Sequence, residues 1–234
     1  GGGGAGGGGG GGAGRAESAA RLAAITAGMA STDFKTRYAA VTDLTAFSLE
    51  DPRANDDRWG AVADLFAARV QDNNSKVAHL ALQGLNDVLP ACGPSFEPAL
   101  NTLVPALAAG LSHSAVPLRS LSSAAMDGLV AAVSPHAVAP LLAHAVEFGN
   151  QRAKGLLLEK LKSTVAGLHA RKPGLLARIV VPCALKNLDD HKIEIRSANN
   201  ALIKELHRTL GEDLFDPKLV SESAAAKLRQ ALAT

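Results

Sequence analysis

Three observations predict an all-α solenoid of five to six helix pairs. Short polar turns recur about every forty residues, around positions 33–35, 73–76, 113–116, 150–152 and 190–192. Each turn is followed by an apolar, alanine-rich stretch with helical spacing. Hydrophobic residues make up 47% of the chain but aromatic residues only 3%, which favours close helix packing over a β-sandwich. These features are typical of HEAT or armadillo repeats.

The beginning of the chain predicts a tail followed by one repeat domain. Residues 1–16 are expected to be a glycine-rich disordered linker or tail, because glycine keeps its backbone entropy and has no side chain to pack. Residues 17–234 are expected to form a single HEAT-repeat domain. The first residue is Gly rather than Met, so we expect a piece of a longer protein.

The first repeat is predicted from residue 17, where Leu22, Ile25 and Met29 fall at helical spacing. The segment 31–33 offers an N-cap for a second helix that stops at Asp51 and Pro52. The later repeats are expected to comprise residues 59–71 and 77–89, 96–111 and 118–133, 136–148 and 153–170, and 175–188 and 193–210. A last helix over 217–232 would cap the open end of the stack.

Prolines support the repeat assignment. Pro105, Pro140 and Pro182 fall inside or near the start of the first helix of three repeats. A proline there starts or kinks a helix, because it lacks an N–H and its ring crowds the preceding turn. Recurrence near equivalent positions indicates a feature of the repeat itself.

The sequence contains no pattern of a catalytic or metal site. It has no phosphate-binding glycine loop, no Gly-x-Ser-x-Gly and no His-Glu-x-x-His, so we expect neither an enzyme nor a cofactor. Asp56 and Asp57 precede Arg58 and are interpreted as acids in a first helical turn rather than metal ligands. Cys92 and Cys183 lack metal-ligand spacing and are expected to be buried free thiols in a reduced, intracellular protein.

The charge balance also limits the partners. A formal net charge of +2 disfavours a nucleic-acid binder that relies on bulk positive charge. No apolar run approaches the roughly 20 residues of a membrane-spanning helix, so no membrane is expected as a partner.

The turns inside the helix pairs should line one edge of the solenoid, and that edge carries most of the charge. Eight basic and four acidic residues give it a net charge of +4: Asp33, Lys35, Arg37, Asp72, Lys76, Arg119, Arg152, Lys154, Asp190, Lys192, Glu194 and Arg196. A weakly basic edge suits an acidic protein surface and steers association in a salt-sensitive way. Alternatively, these charges are solvated or paired with each other.

Phe34 lies in the first turn of this edge, between charged residues. An aromatic ring at an exposed loop tip is a frequent binding anchor. The other interpretation is that Phe34 folds back as a hydrophobic staple under its own helix. The residues alone leave both open.

A basic loop edge with an aromatic-Lys-x-Arg first turn and an Asp-x-Asn second turn resembles a TOG domain, a tubulin-binding module of about this size. The resemblance covers roughly residues 17–234. Four strings in order are similar to the crescerin family, the TOG-array regulators of axonemal microtubules: DNNSKV (72–77), LVPAL (103–107), KGLLLEKL (154–161) and HARKP (169–173).

The resemblance implies a paddle-shaped solenoid whose intra-repeat loops contact the α/β-tubulin heterodimer or the microtubule lattice. It implies a monomeric domain within a multi-TOG chain, in the cytoplasm and cytoskeleton and at the cilium or axoneme. Phe34 stands where TOG domains usually have tryptophan. The implied contact residues are Phe34, Lys35, Asn74, Lys76, Val77, Arg152, Lys154 and Lys192. The alternative is a HEAT-repeat interaction scaffold that does not bind tubulin.

Overall fold

The computed structural model describes residues 10–52 and 58–233. The helices of the first four repeats are α1 (Gly10–Met29), α2 (Phe34–Glu50), α3 (Arg58–Val70), α4 (Ser75–Cys92), α5 (Leu100–Gly110), α6 (Val116–Ala132), α7 (Pro135–Phe148) and α8 (Lys154–Arg171). The fifth repeat comprises α9 (173–186) and α10 (Ile193–Leu210), and α11 (Glu222–Leu232) follows it. Short 3₁₀ helices span Gly93–Ala99 and Gly211–Phe215.

The helices pack in two layers, as the predicted solenoid requires. The second helices of the pairs, α2, α4, α6, α8 and α10, pack side by side in one layer. The first helices, α1, α3, α5, α7 and α9, form the other layer, and each pair bridges the two. The predicted all-α HEAT-repeat solenoid is therefore confirmed.

The core lies between the layers and consists mainly of Leu, Val and Ala side chains. Trp59 packs in it and meets the ring of Phe96 edge-on at 5.4 Å between centroids. Close helix packing is evident at Gly84 on α4, where an added Cβ would lie 2.2 Å from the hydroxyl oxygen of Thr45 on α2. The packing of α2 against α4 in the layer of second helices thus depends on a glycine at position 84.

The prolines lie where the sequence predicts. Pro105 and Pro140 are inside α5 and α7, and Pro182 follows a five-residue π-helical turn, Leu176–Val180, within α9. A proline lacks the N–H that continues the α-helical bonding and crowds the preceding turn, and π turns relieve such disruptions.

The first helix begins earlier than the sequence predicts. It starts at Gly10, inside the predicted tail, whereas residues 1–9 lie outside the described part of the chain. Once a helix has formed, each added residue gains a hydrogen bond without a new nucleation step, so α1 extends into glycines of poor helix propensity. The boundary at residues 16 and 17 stays a prediction.

Other predictions from composition have mixed outcomes. Both cysteines are free and buried, as expected, and burial raises the pKa of each thiol to about 11. Asp56 and Asp57 lie outside the described residues. Within residues 10–52 and 58–233, no helix has the length and apolarity to cross a membrane, and no three His, Cys, Asp or Glu side chains gather as metal ligands would.

Candidate protein-binding edge

The turns inside the five helix pairs lie along one edge of the solenoid. We call this the loop edge, and its turns loops one to five: residues 30–33, 71–74, 111–115, 149–153 and 187–192. The loop edge includes the first turn of each second helix. The turns between pairs lie along the opposite edge.

Loop one holds Phe34 at the first position of α2. Asp33 caps this helix, as predicted, because its carboxylate accepts from the Thr36 backbone N–H at 3.0 Å and the Thr36 hydroxyl at 2.8 Å. These hydrogen bonds lower the pKa of Asp33. Phe34 keeps 37% of its surface exposed and lies outside the hydrophobic core formed by the described residues. The structure therefore favours the exposed-anchor interpretation over the hydrophobic staple.

Arg37 fixes loop one to loop two. Its guanidinium donates to both carboxylate oxygens of Asp72, at 2.8 and 2.9 Å, and to the Asn73 side chain at 3.0 Å. It also donates to the backbone carbonyls of Ser31 and Thr32, both at 3.0 Å. The ion pair is buried, with 9% of the Arg37 side chain and 1% of the Asp72 side chain exposed. Such a bidentate, buried pair orders both loops.

Asp72 has further partners that keep it charged. Arg69 donates to it at 2.7 Å and the Asn74 backbone N–H at 2.8 Å. Burial acts to raise the pKa of Asp72, but the hydrogen bonds from Arg37 and Asn74 and the charges of Arg37 and Arg69 lower it below its ordinary value. Asp72 is therefore the shared acceptor of the first two loops.

Loop five repeats this arrangement with Asp190. Its carboxylate accepts from the Lys192 backbone N–H at 3.1 Å, from the Lys154 ammonium at 3.1 Å and from the Gln151 amide at 3.3 Å. Burial acts to raise the pKa of Asp190, but these hydrogen bonds and the charge of Lys154 lower it. Asp72 and Asp190 therefore have the same local geometry, each accepting a backbone N–H two residues later and a cation from the preceding repeat.

These contacts divide the eight predicted basic residues of the loop edge into two groups. Arg37, Arg119, Arg196 and Lys154 bind loop carbonyls or carboxylates of the chain itself. Lys35, Lys76, Arg152 and Lys192 are exposed, and within the described residues their side chains make no hydrogen bond or ion pair, although the charge of Lys35 helps to lower the pKa of Asp33. The second group is available to a partner.

Three predicted contact residues have structural roles within the chain; for Asn74 and Lys154, which are only partly buried, the contact itself stays a prediction. Val77 is fully buried and packs in the core, because it lies on the inner face of α4, so it is corrected from a contact residue to a core residue. Asn74 is half-buried and caps α4, since its side-chain oxygen accepts from the backbone N–H groups of Lys76 at 3.0 Å and Val77 at 3.4 Å. Lys154 is held by Asp190 and is assigned to loop cohesion.

Exposed apolar residues on the same edge were not predicted. Val116 and Ile193, at the first positions of α6 and α10, are 59% and 70% exposed, and Phe148 at the end of α7 is 68% exposed. The signal for Val116 and Ile193 is an apolar residue three positions before an arginine, the same spacing as between Phe34 and Arg37.

The fold and its loop edge define the class of protein: the chain has the fold of TOG domains. A TOG domain of C. elegans Zyg9 superposes with a TM-score of 0.70 over 90% of this chain and 80% of that chain, at 15% identity. A structure described as "Crescerin uses a TOG domain array to regulate microtubules in the primary cilium" gives a TM-score of 0.65 over 93% of this chain and 88% of that chain, at 17% identity.

The sequence is similar to particular proteins of this class. TOG array regulator of axonemal microtubules protein 1 of Homo sapiens is 29% identical over 217 residues, and the Mus musculus protein is 27% identical over 213 residues. The matched region is 86% of this chain but spans only 12% of the length of either relative. No family model matches the chain. The predicted resemblance to TOG domains and the crescerin family is confirmed.

Proposed function

We propose that this chain is a tubulin-binding TOG domain that contacts the α/β-tubulin heterodimer or the microtubule lattice through its loop edge. The observation that carries the proposal is the exposed Phe34 ring on a loop held by Arg37, with Lys35 and Lys76 unpaired beside it on the edge. A rigid aromatic anchor buries area with little loss of side-chain entropy, and the cations attract an acidic protein surface.

The relatives support the choice of partner. Zyg9 and crescerin structures share the fold, and another solved structure with a TM-score of 0.68 is described by "TOG-tubulin binding specificity". The curated relatives are named as regulators of axonemal microtubules. We extend this to the chain as part of a ciliary or axonemal microtubule regulator, in the cytoplasm and cytoskeleton, acting as one monomeric domain of a multi-TOG protein and not as an enzyme.

Two substitutions on the loop edge test the proposal: one removes the aromatic ring of Phe34 and the other reverses the charge of Lys76. Phe34→Glu and Lys76→Glu are each expected to weaken binding to purified tubulin about tenfold, because one loses an apolar anchor and the other repels an acidic surface. Fluorescence titration measures the affinity, and thermal unfolding shows that both variants still fold.

Lys218→Glu is the matched control. Lys218 is exposed in the turn between α10 and α11, on the opposite edge, so its charge reversal should leave tubulin affinity unchanged. Unchanged affinity in both Phe34→Glu and Lys76→Glu would contradict the proposed contact edge.

The second candidate is a HEAT-repeat scaffold that binds a protein other than tubulin or only spaces other domains. It is favoured by the engagement of half of the basic residues of the loop edge in bonds within the chain. The same titration separates the two functions, because a scaffold of this kind predicts no tubulin binding by the wild-type chain.

A further inference from the structure

Loops one, three and five share a structural pattern that loops two and four lack. The second helix of each odd-numbered repeat begins with an exposed apolar residue and carries an arginine three positions later. The pairs are Phe34 and Arg37, Val116 and Arg119, and Ile193 and Arg196. In loops two and four the first helical residues are Ser75 and Lys154.

The arginine in each pair ties the loop to its helix in the same way. Its Nη1 atom donates to two carbonyls, six and five residues earlier. In loop one the acceptors are Ser31 and Thr32, both at 3.0 Å; in loop three they are His113 at 2.6 Å and Ser114 at 3.4 Å; in loop five they are Asp190 at 2.7 Å and His191 at 3.1 Å. This connection fixes the loop and therefore the apolar residue that follows it.

The apolar residues are exposed to different extents along the edge. Phe34 is 37% exposed, Val116 59% and Ile193 70%. A single exposed apolar residue on a protein surface is ordinary. Three at the same position of alternate repeats, on one edge and each fixed by an arginine, form a regular row instead.

We propose that Val116 and Ile193 are contact residues for the partner that takes Phe34, so that tubulin is held at three apolar points along the loop edge. This inference rests on the proposed function and extends it to loops three and five. Neighbouring helices in a layer lie about 10 Å apart, so the row from repeat one to repeat five spans roughly 40 Å. A row of that length, fixed in place, suits a folded protein surface.

Charge specifies the same partner chemistry. Lys35 follows Phe34 directly in the chain and Lys192 precedes Ile193, and both lysines are exposed without a side-chain partner in the described residues. Asp33 and Glu194 lie on the other side of Phe34 and Ile193, so it is the net charge of +4 of the whole loop edge that fits an acidic surface with apolar patches. Removing the exposed side chain of Val116 or Ile193 should reduce binding without affecting the fold, because that side chain contributes little to the core.

The test compares the tubulin affinity of Ile193→Ser with that of a matched variant of an apolar residue on the opposite edge. Leu49 lies near the end of α2 and is 39% exposed, so Leu49→Ser makes a similar change away from the loop edge. Tubulin affinity is measured by titration for wild type, Ile193→Ser, Val116→Ser, Leu49→Ser and Phe34→Ser, with thermal unfolding for each variant. Ile193→Ser is expected to weaken binding about tenfold and Val116→Ser about threefold, since less apolar area is lost at valine.

The outcomes distinguish the inference from the proposed function. Weaker binding by Ile193→Ser and Val116→Ser, with Leu49→Ser equal to wild type and all variants folded, supports the three-point contact. If the wild type binds and Phe34→Ser is weaker, but Ile193→Ser and Val116→Ser match Leu49→Ser, the inference is overturned and the proposed function stands. If the wild-type chain does not bind tubulin, both are overturned.

Discussion

The junction between loops one and two and the junction between loops four and five follow one plan with different chemistry. In each, an aspartate lies two residues before the N-cap residue of a second helix and accepts a hydrogen bond from the backbone N–H of that residue. The same aspartate also accepts a hydrogen bond from a cationic side chain of the preceding repeat. Arg37 makes two hydrogen bonds to Asp72 inside a buried site, whereas Lys154 makes one to Asp190 and keeps 17% of its side chain exposed. The planar guanidinium holds its acceptor in one orientation, which an ammonium does not.

The difference indicates that the two junctions between neighbouring loops are held with different strength. Asp72 holds the Phe34 end to the next loop through a buried bidentate pair. Asp190 holds the Lys192 end to the preceding loop through a single ion pair and a longer amide contact of 3.3 Å, and Arg196 ties that loop to its own helix. The strongly held junction at Asp72 suits Phe34, an anchor that must keep its position. The less strongly held junction at Asp190 suits Lys192, whose charge can adjust to a partner surface.

The largest effect is expected when the first junction loses its acceptor. Asp72→Ala leaves the buried Arg37 guanidinium without its counter-charge, so the free energy of unfolding should fall by about 3 kcal/mol. Urea unfolding followed by circular dichroism measures it. Asp189→Ala is the matched control, because that carboxylate is 74% exposed and should lose less than about 1 kcal/mol. If Asp72→Ala lowers the free energy of unfolding as little as Asp189→Ala does, the buried ion pair does not strengthen this junction.

A smaller effect is expected at the second junction. Asp190→Ala removes the acceptor of Lys154 and of the Lys192 backbone N–H, but Lys154 is partly exposed and regains water. The free energy of unfolding should fall by about 1.5 kcal/mol. The same urea experiment measures it. If Asp190→Ala lowers the free energy of unfolding as much as Asp72→Ala does, the two junctions contribute equally to stability.

The smallest effect is expected from acid. The folded-state pKa of Asp72 lies below its ordinary value, so its stabilisation is present above the unfolded pKa of about 3.9 and is lost as the pH falls through the folded pKa. The difference in free energy of unfolding between wild type and Asp72→Ala should therefore narrow below about pH 4. Urea unfolding at pH 7 and at the lowest pH where both still fold measures it. An equal difference at both pH values would mean that the charge of Asp72 is not what stabilises the junction.

The sequence predicts the repeat and its edge because both depend on local patterns. The helical spacing and the Asp33 cap follow from residues within one or two turns of each other. The exposure of Phe34 did not follow from those residues and is seen only in the folded chain. Val77 was misassigned because its place beside Lys76 in the chain does not show that the two side chains lie on different faces of α4, although the spacing from Val77 to Ala81 and Leu85 does.

The pairing of basic residues depends on packing that the sequence does not display. Lys154 and Asp190 are 36 positions apart, and Arg37 and Asp72 are 35 apart. Those distances match one repeat, so a repeat-length offset could nominate the partners. Which cation points inward is decided by how adjacent helices are rotated against each other, and that becomes visible only in the folded chain.

The arginines at the start of α2, α6 and α10 bind carbonyls of the backbone, and this separates the shape of a loop from its composition. Every residue type offers the same carbonyl, so these bonds do not depend on the acceptor's side chain. Side chains such as that of Asp190, which makes hydrogen bonds of its own, still constrain the loop. Residues 112–115 and 189–192 differ at every position, yet the two loops share this course. The exposed positions that make no side-chain hydrogen bond, such as Val116 and Ile193, are therefore suitable places to introduce new recognition residues, because the arginine bonds that fix each loop do not involve them.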